Sequence, residues 1–192
     1  MSLKNYKEKR DFKKTSEPEG KEQKDKEEYL FVVQKHDASK LHYDLRIQMG
    51  GVLKSWAIPK GPTLNPENKR LAIPTEDHPI DYADFEGIIP EDNYGAGAVI
   101  VWDKGTYKNK TERDGKLINM EQAYNKGHIT LHLNGEKLKG GFSLIKMKQN
   151  DKWLFIKKND SEAKRKGDIL KEKPKSVLSG KKLEEMKQEN EN

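Results

Sequence analysis

The segment HYDLRIQ, residues 42–48, alternates polar and apolar side chains in a pattern that could support chemistry. Such alternation predicts a β-strand with one face packed on a core and the other face polar. The polar face would carry His42, Asp44, Arg46 and Gln48. The Cα atoms of His42 and Asp44 would lie roughly 7 Å apart, so both side chains could reach one ion between them. This face is therefore either the floor of an active site or a solvated strand surface.

His36 extends the candidate site, because the stretch DASKL between it and His42 could bend the chain back on itself. Two histidines and one aspartate are an ordinary ligand set for a divalent transition metal, and three ligands leave coordination positions open for water or substrate. The spacing thus favours a metal site at His36, His42 and Asp44. A solvated strand face is the alternative, although lysine, glutamate and threonine are more usual there.

Arg46 continues the polar face beyond Asp44 and indicates the charge of a ligand. A guanidinium binds phosphate or carboxylate through paired donors, so an arginine beside a metal site suggests an anionic substrate. A structural ion pair between Arg46 and Asp44 is equally easy geometrically, and the sequence leaves both interpretations open.

The segment TEDHPIDY, residues 75–82, could supply a further ligand or an acid–base group. Its polar side chains are Glu76, Asp77, His78, Asp81 and Tyr82. Irregular loops often carry function, but a polar surface loop is the alternative. His128 and His132 would lie roughly 13 Å apart on one strand, too far to share an ion, and we expect both on the surface.

Composition limits the class of protein. The chain has 192 residues, of which 32% are apolar and 36% charged, and its net charge is +6. It has no cysteine, which excludes disulfides and thiolate metal sites and fits a reducing cytoplasm. No apolar run could span a bilayer, and the lysine-rich N-terminus lacks the apolar centre of a signal peptide. The modest positive charge is compatible with a nucleic-acid partner without establishing one.

We expect three regions along the chain. Residues 1–28 form a charged lead with little to bury, predicted to be disordered or weakly helical. Residues 29–160 hold short strands and turns in series, which predict a mainly β fold, a small antiparallel barrel or sandwich. Residues 161–192 form a polar tail with a short terminal helix predicted at KKLEEMKQEN.

Turn residues divide the central region. Gly50-Gly51 predicts a tight hairpin turn, and Asn134-Gly135 predicts a second one after the strand HITLHL. The Gly-x-Gly of NYGAG, residues 93–97, precedes a strand instead of a helix, so it predicts a turn and not a phosphate-binding loop. The segment NMEQAYNKG predicts a short helix capped by Asn119.

Two long stretches resemble a known family. The stretches HDASKLHYDLRIQMGGVLKSWAIPKGP and KRLAIPTEDHPIDYADFEGIIPEDNYGAG are similar to the 3′-phosphoesterase domain of bacterial DNA ligase D and its free-standing bacterial and archaeal relatives. The resemblance runs from about residue 30 to about residue 160. It implies a compact, closed or nearly closed antiparallel β-barrel with a few short helices. It also implies that the polar face of residues 42–48 is an active-site floor, which we expect to point into the barrel.

The resemblance implies an activity and a role for each matching residue. The family heals 3′ ends of DNA or RNA–DNA: it removes a terminal ribonucleotide and then the remaining 3′-phosphate, using manganese or a similar ion such as cobalt or zinc. By this resemblance, the metal ligands are His36, His42 and Asp44. Arg46, Arg70 and His78 match groups that engage the phosphate. Glu76 and Tyr82 match other residues that the activity needs, and Gln34 and Lys60 match positions near the site.

The same resemblance suggests how the chain would work in a cell. We expect a cytoplasmic monomer that acts alone or by recruitment, with a separate DNA ligase, polymerase or end-binding protein as candidate partner. Residues 1–25 should be dispensable for hydrolysis, since they have little apolar surface to bury.

Two other functions are compatible with the motifs. His42 and Asp44 satisfy the His-x-Asp pattern of a non-haem iron oxygenase, although arginines beside the site suit phosphate better. A catalytically silent nucleic-acid-binding module could use SWAIPKGP as an aromatic and basic surface. Turnover that depends on metal but not on oxygen would separate the phosphoesterase from both.

Overall fold

The computed structural model describes residues 3–20 and 29–188 of the chain. This part is mainly β, as predicted, and its helices are short. The strands are β1 (Leu30–Asp37), β2 (Leu41–Met49), β3 (Val52–Ile58), β4 (Arg70–Pro74), β5 (Gly87–Ile89), β6 (Gly97–Asn109), β7 (Glu112–Arg113), β8 (Lys116–Leu117), β9 (His128–Gly135), β10 (Lys139–Lys146) and β11 (Trp153–Lys157). The helices are α1 (Lys4–Glu8), α2 (Met120–Asn125), α3 (Ile169–Glu172) and α4 (Leu183–Gln188), and a 3-10 helix covers Ile80–Asp84.

Eight of the strands close into an antiparallel barrel. The order around it is β1, β2, β3, β4, β11, β10, β9 and β6, and β6 pairs back with β1. Strand β5 pairs with one end of β6, and β7 pairs with β8 in a separate ribbon. The closed antiparallel barrel that the resemblance implied is confirmed.

Local signals place two of the predicted elements correctly. Gly50 and Gly51 have φ values of 58° and 77°, which glycine adopts without strain and which join β2 to β3 in a tight turn. Asn119 caps α2, and its side chain and that of Gln122 form a reciprocal capping box. Both features depend only on residues that are close in sequence.

The turn predicted at Asn134-Gly135 is wrong by a few residues. Strand β9 runs through Gly135, and the chain reverses only afterwards. The reason is a long-range contact, because the Asp103 carboxylate of β6 accepts hydrogen bonds from the backbone amides of Lys137 and Leu138. These bonds hold the turn beyond the glycine.

Apolar side chains fill the barrel interior. Tyr43, Leu45 and Ile47 of β2 join a cluster that includes Trp56 and Trp102, and all five are buried. A barrel of eight strands is just wide enough for such side chains to fill it. Strand alternation therefore sends the polar side chains of β2 to the outer face. The expectation that this polar face points into the barrel is wrong.

A second apolar cluster covers part of that outer face. It contains Val32 of β1 and Val101 of β6, together with Tyr82 of the 3-10 helix and Tyr6 of α1. Tyr6 is fully buried, so residues 3–20 are packed on the barrel. The lead was predicted to be disordered or weakly helical with little to bury; in this range α1 is a short helix, and Tyr6 and its neighbour in the cluster, Phe12, supply apolar contacts. Residues 1–2 and 21–28 of the predicted lead lie outside the described residues.

The C-terminal residues also pack on the barrel. Leu183 of α4 contacts a small cluster formed by Ala98 and Ile100 of β6. The indole of Trp102 donates to the Lys173 carbonyl at 2.7 Å. The predicted terminal helix corresponds to α4, and residues 189–192 lie outside the described part. None of the helices in the described ranges has the length and apolarity needed to cross a bilayer.

Candidate active site

A cavity of about 280 Å³ lies on the outer face of β2, beside the N-terminal segment and the loop of residues 93–97. It brings together residues from distant parts of the sequence. Seven of the ten predicted site residues line it: His36, His42, Asp44, Arg46, Glu76, His78 and Tyr82. Arg10 and Tyr94 line it as well, and sequence analysis did not single them out.

The predicted metal ligands meet at one end of β1 and β2. His36 is the direct cross-strand partner of His42, and Asp44 follows on the same face. One ligand atom from each residue lies within 4.8 Å of the others. Asp44 Oδ2 is 3.5 Å from His36 Nδ1 and 3.6 Å from His42 Nε2. The group could hold one metal ion, and the bend at DASKL is what brings His36 to it.

Backbone carbonyls orient both histidine rings. His36 Nε2 donates to the Gly95 carbonyl and His42 Nδ1 to the Lys40 carbonyl, each at 2.8 Å. A proton on these two nitrogens leaves His36 Nδ1 and His42 Nε2 as the ligand atoms. Ligating histidines are commonly fixed in this way by a second hydrogen bond. The donor set of two imidazoles and a carboxylate therefore fits a divalent transition metal.

Asp44 is a buried anion. Burial alone would raise the pKa of its carboxyl group, but the Arg46 guanidinium and the two histidines hold this pKa well below its usual range. The Arg46 Nη2 atom lies 3.2 Å from Asp44 Oδ2. Asp44 is consequently ionised at neutral pH, the state in which a carboxylate binds a cation.

Arg46 is a buried centre of hydrogen bonds. Its Nε donates to Gln34 Oε1 at 2.6 Å, and its Nη1 donates to Ser55 Oγ at 2.9 Å. Gln34 is fully buried and donates in turn to two backbone carbonyls of the segment 82–85. Gln34 thus positions Arg46 and does not line the cavity. Arg46 pairs with Asp44, as one of the two interpretations predicted, and it also lines the cavity, where its guanidinium could meet an anionic ligand.

His78 lies between two guanidinium groups. Its Nδ1 is 2.9 Å from Arg46 Nη1, and its Nε2 is 3.3 Å from Arg10 Nη2. Burial and the charges of Arg46 and Arg10 hold the pKa of His78 well below its ordinary value of 6.5. A guanidinium only donates hydrogen bonds, so it disfavours a second proton on the ring. His78 is therefore a neutral imidazole at neutral pH.

The N-terminal segment adds Arg10 to the site. Arg10 Nε lies 2.8 Å from Glu17 Oε1, and its Nη1 lies 3.1 Å from Glu76 Oε1. Tyr82 Oη donates to the same Glu17 oxygen at 2.9 Å. The side chains of these three charged residues are at most 5% exposed. Glu76 and Tyr82 thus belong to a network that holds a second arginine in the cavity.

Sequence reasoning missed Arg10 and Glu17 because they lie in a segment of mixed charge without periodicity. The partners of Arg10 include Glu76, 66 residues away, and no local pattern reveals such a pair. Two aromatic residues in the segment, Tyr6 and Phe12, were the signal that it packs on a folded surface.

Arg70 and Lys60 lie outside the cavity in the described structure. Arg70 begins β4, opposite Phe155, on the strand face that also carries the core residue Ala72. Lys60 is exposed in the turn after β3. This geometry gives no support to the phosphate contact that the resemblance implied for Arg70, or to the position near the site that it implied for Lys60. His128 and His132 are exposed, as predicted.

The neutrality of His78 should make stability depend on pH. The unfolded chain protonates this ring near its ordinary pKa of 6.5, whereas the folded protein does so only at lower pH. The unfolded state then binds more protons, so the free energy of unfolding should fall as pH drops below that value. One such group contributes at most about 1.4 kcal/mol per pH unit. Denaturant unfolding of the metal-free protein across this range measures the slope.

The variant His78→Asn isolates this contribution. Its unfolding free energy should fall less steeply on acidification than that of the natural protein, because the other titrating groups are common to both. The exposed His132 gives a matched control, and His132→Asn should keep the natural slope. Equal slopes for all three proteins would show that His78 is not held neutral by folding.

Comparison with known proteins shows the family to which this chain is similar. A family model that describes the DNA ligase D 3′-phosphoesterase domain matches residues 34–146, more than half of the chain. The match includes the His36, His42 and Asp44 group together with Arg46 and His78. The chain belongs to the DNA ligase D 3′-phosphoesterase domain family.

Curated relatives show the same similarity. The chain is 50% identical over 184 residues to the multifunctional non-homologous end joining protein LigD of Pseudomonas aeruginosa, which covers 92% of this chain and 21% of that protein. It is 43% identical over 170 residues to LigD of Mycolicibacterium smegmatis, covering 87% of this chain and 22% of that protein. It is 42% identical over 135 residues to the multifunctional non-homologous end joining DNA repair protein LigD of Mycobacterium tuberculosis, covering 70% of this chain and 17% of that protein. The chain thus spans about a fifth of the length of these relatives.

Proposed function

We propose that the protein is a metal-dependent phosphoesterase that heals blocked 3′ ends of DNA or RNA–DNA. As a phosphodiesterase it would cleave a 3′-terminal ribonucleotide so that its nucleoside leaves and its phosphate stays on the primer, and as a phosphomonoesterase it would remove this 3′-phosphate to leave a 3′-hydroxyl. The observation that carries the proposal is a single cavity in which the His36, His42 and Asp44 group adjoins two buried arginines, Arg46 and Arg10. Family membership supports a phosphoester substrate.

The metal would be held by His36 Nδ1, His42 Nε2 and an Asp44 oxygen. Manganese is our first choice because the family resemblance implies it. Cobalt and zinc are alternatives, because two imidazoles and a carboxylate suit all three ions. When bound, the metal neutralises phosphate oxygens and activates a water molecule.

The remaining groups act on the phosphate directly. Arg46 and Arg10 line the cavity with guanidinium groups, which can each engage two phosphate oxygens and stabilise the charge that develops during hydrolysis. The buried partners Gln34 and Glu17 hold these arginines in place before substrate enters. Neutral His78 keeps one N–H, with which it can donate a hydrogen bond to a phosphate oxygen.

Contacts between arginines and phosphate also indicate which feature of the substrate is recognised. Phosphate and sugar contacts position a nucleic acid without reading its bases, so the structure of the end should matter more than its sequence. A DNA ligase, polymerase or end-binding protein would use the healed 3′-hydroxyl. We infer a cytoplasmic location and a monomeric state for this activity.

A primer–template assay tests the function. A 5′-labelled primer that ends in one ribonucleotide is incubated with manganese, and its products are resolved on a gel. We expect loss of the ribonucleoside to a 3′-phosphate end, then conversion to a 3′-hydroxyl, with both steps stopped by a chelator and neither requiring oxygen. Binding without either cleavage would favour the silent binding module, and oxygen-dependent turnover the iron oxygenase.

Exchange of Arg46 for lysine should separate bidentate phosphate binding from simple charge. An ammonium is a single point charge on a flexible stem, so Arg46→Lys should keep metal binding but lose about 2–4 kcal/mol of transition-state stabilisation, as for one preorganised donor. Arg46→Ala should be slower still and less stable, because Asp44 loses its buried partner. Single-turnover rates and manganese affinities measure both effects.

The exposed Arg113, outside the cavity, provides the control for this exchange. Arg113→Lys should match the natural protein in rate and metal affinity. A natural rate for Arg46→Lys would make Arg46 a structural residue and leave Arg10 and His78 as the groups that hold the phosphate.

A further inference from the structure

Tyr94 stands out among the described residues that line the cavity. Tyr94 is 54% exposed, whereas Tyr82 in the same cavity is 2% exposed. A large aromatic ring held in water at the rim of a polar cavity offers a face for another planar group. The ring is not part of the metal group, and the cation that lies over it is Lys9 and not either buried arginine.

The Tyr94 ring is fixed on one side. Lys9 Nζ lies 4.3 Å from the ring centroid and 3.3 Å from Glu76 Oε2, so the lysine bridges the ring and the arginine network. The backbone amide of Asp11 donates to the side chain of Asn93, the residue before Tyr94. The N-terminal segment therefore holds the Tyr94 loop through two contacts, and little ordering is needed before a ligand binds.

The same loop adjoins the metal group. Gly95, the residue after Tyr94, supplies the carbonyl that orients His36 at 2.8 Å. A phosphate placed between the metal group and the arginines would therefore lie near the Tyr94 ring. A cavity of about 280 Å³ is small for an organic ligand, so it would hold the phosphate and adjoining sugar, with the base at the rim.

We propose that Tyr94 is the stacking platform for the base of the nucleoside that remains on the primer, the one whose 3′ oxygen carries the reacting phosphate. This inference rests on the proposed function and deepens it. At a 3′-phosphate end the terminal ribonucleoside is gone, and this nucleoside is the one that adjoins the reacting phosphate. A single platform can therefore serve both reactions only if it holds the retained base. Base–aromatic stacking tolerates any base, in keeping with recognition of an end and not of a sequence.

The test combines a protein change with a substrate change. Tyr94→Ala should raise KM about tenfold on both 3′-ribonucleotide and 3′-phosphate ends, the loss expected for one base–aromatic stack, while kcat changes little. Tyr94→Phe should retain natural KM values. On a primer whose retained nucleoside is abasic, natural protein and Tyr94→Ala should have the same KM, because there is no base to stack.

Matched controls distinguish a failure of the stacking proposal from a failure of the proposed function. Tyr29 is an exposed tyrosine outside the cavity, and Tyr29→Ala should leave every KM unchanged. Tyr94→Leu, which keeps bulk without a π face, replaces Tyr94→Ala if that variant misfolds in a thermal melt. A rise in KM that is confined to ribonucleotide ends, or one that persists on the abasic primer, would contradict the proposal that Tyr94 stacks on the retained base. Absence of hydrolysis by the natural protein would overturn the phosphoesterase instead.

Discussion

Replacing His42 by alanine should abolish phosphoester hydrolysis and leave the barrel folded. His42 supplies one of three ligands, and its side chain is 22% exposed, so its removal opens little of the apolar interior. Loss of one ligand should weaken manganese binding by well over the roughly 10–100-fold typical for residues that only support a ligand. Calorimetric titration with manganese, a single-turnover assay and a thermal melt measure the three quantities separately.

Asp44→Ala should lose activity as completely but behave differently in the melt. This variant leaves Arg46 buried without its anion, which costs about 3–5 kcal/mol for a broken buried pair. The exposed His132 gives a matched control, since His132→Ala removes the same ring away from the cavity and should leave activity, metal affinity and stability unchanged. Turnover close to the natural rate in His42→Ala at modest manganese would refute the metal assignment.

Removal of Arg10 should damage both the site and the attachment of the N-terminal segment. Arg10→Ala leaves the Glu17 and Glu76 carboxylates buried without their guanidinium partner, which should cost about 3–5 kcal/mol. It also removes one donor for phosphate, and loss of such a donor lowers kcat by about 10²–10³. Deletion of residues 1–20 should lower the rate at least as much, contrary to the expectation from sequence that this lead is dispensable.

Limited proteolysis and single-turnover assays distinguish the two effects of Arg10. If the segment detaches, Arg10→Ala should be cut within residues 1–20 faster than the natural protein. Lys13, exposed in the same segment, provides the control, and Lys13→Ala should match the natural protein in both assays. A truncated protein with the natural rate would show that the segment only covers the site.

The sequence predicted those parts of the site that depend on strand alternation and local bends. The spacing of His42 and Asp44 placed both on one face, and the bend at DASKL brought His36 opposite His42. The orientation of that face could not be predicted, because it depends on the total volume of side chains that fill the barrel. Only the closed structure shows that Trp56 and Trp102 fill this space and leave Asp44 outside.

Ion pairs between residues distant in sequence were the second feature of the site that the sequence did not predict. Arg10 was not recognised and Arg70 was assigned by resemblance, yet Arg10 lines the cavity and Arg70 does not. An arginine carries no periodic signal that reveals its partner, since its contact with Glu76 joins residues 66 apart. The cap of α2 at Asn119, in contrast, depends on residues within four positions of one another and was predicted correctly.

The division of β2 into two faces has a consequence for how this lineage can evolve. Tyr43, Leu45 and Ile47 serve the barrel interior, whereas His42 and Asp44 serve the cavity on the other side. Changes at His42 therefore affect the cavity and spare the interior, whereas changes at Asp44 also break its buried ion pair with Arg46. A descendant without enzymatic activity could therefore vary at His42 and persist as an inert barrel, and an altered metal preference could arise there without changes to the interior.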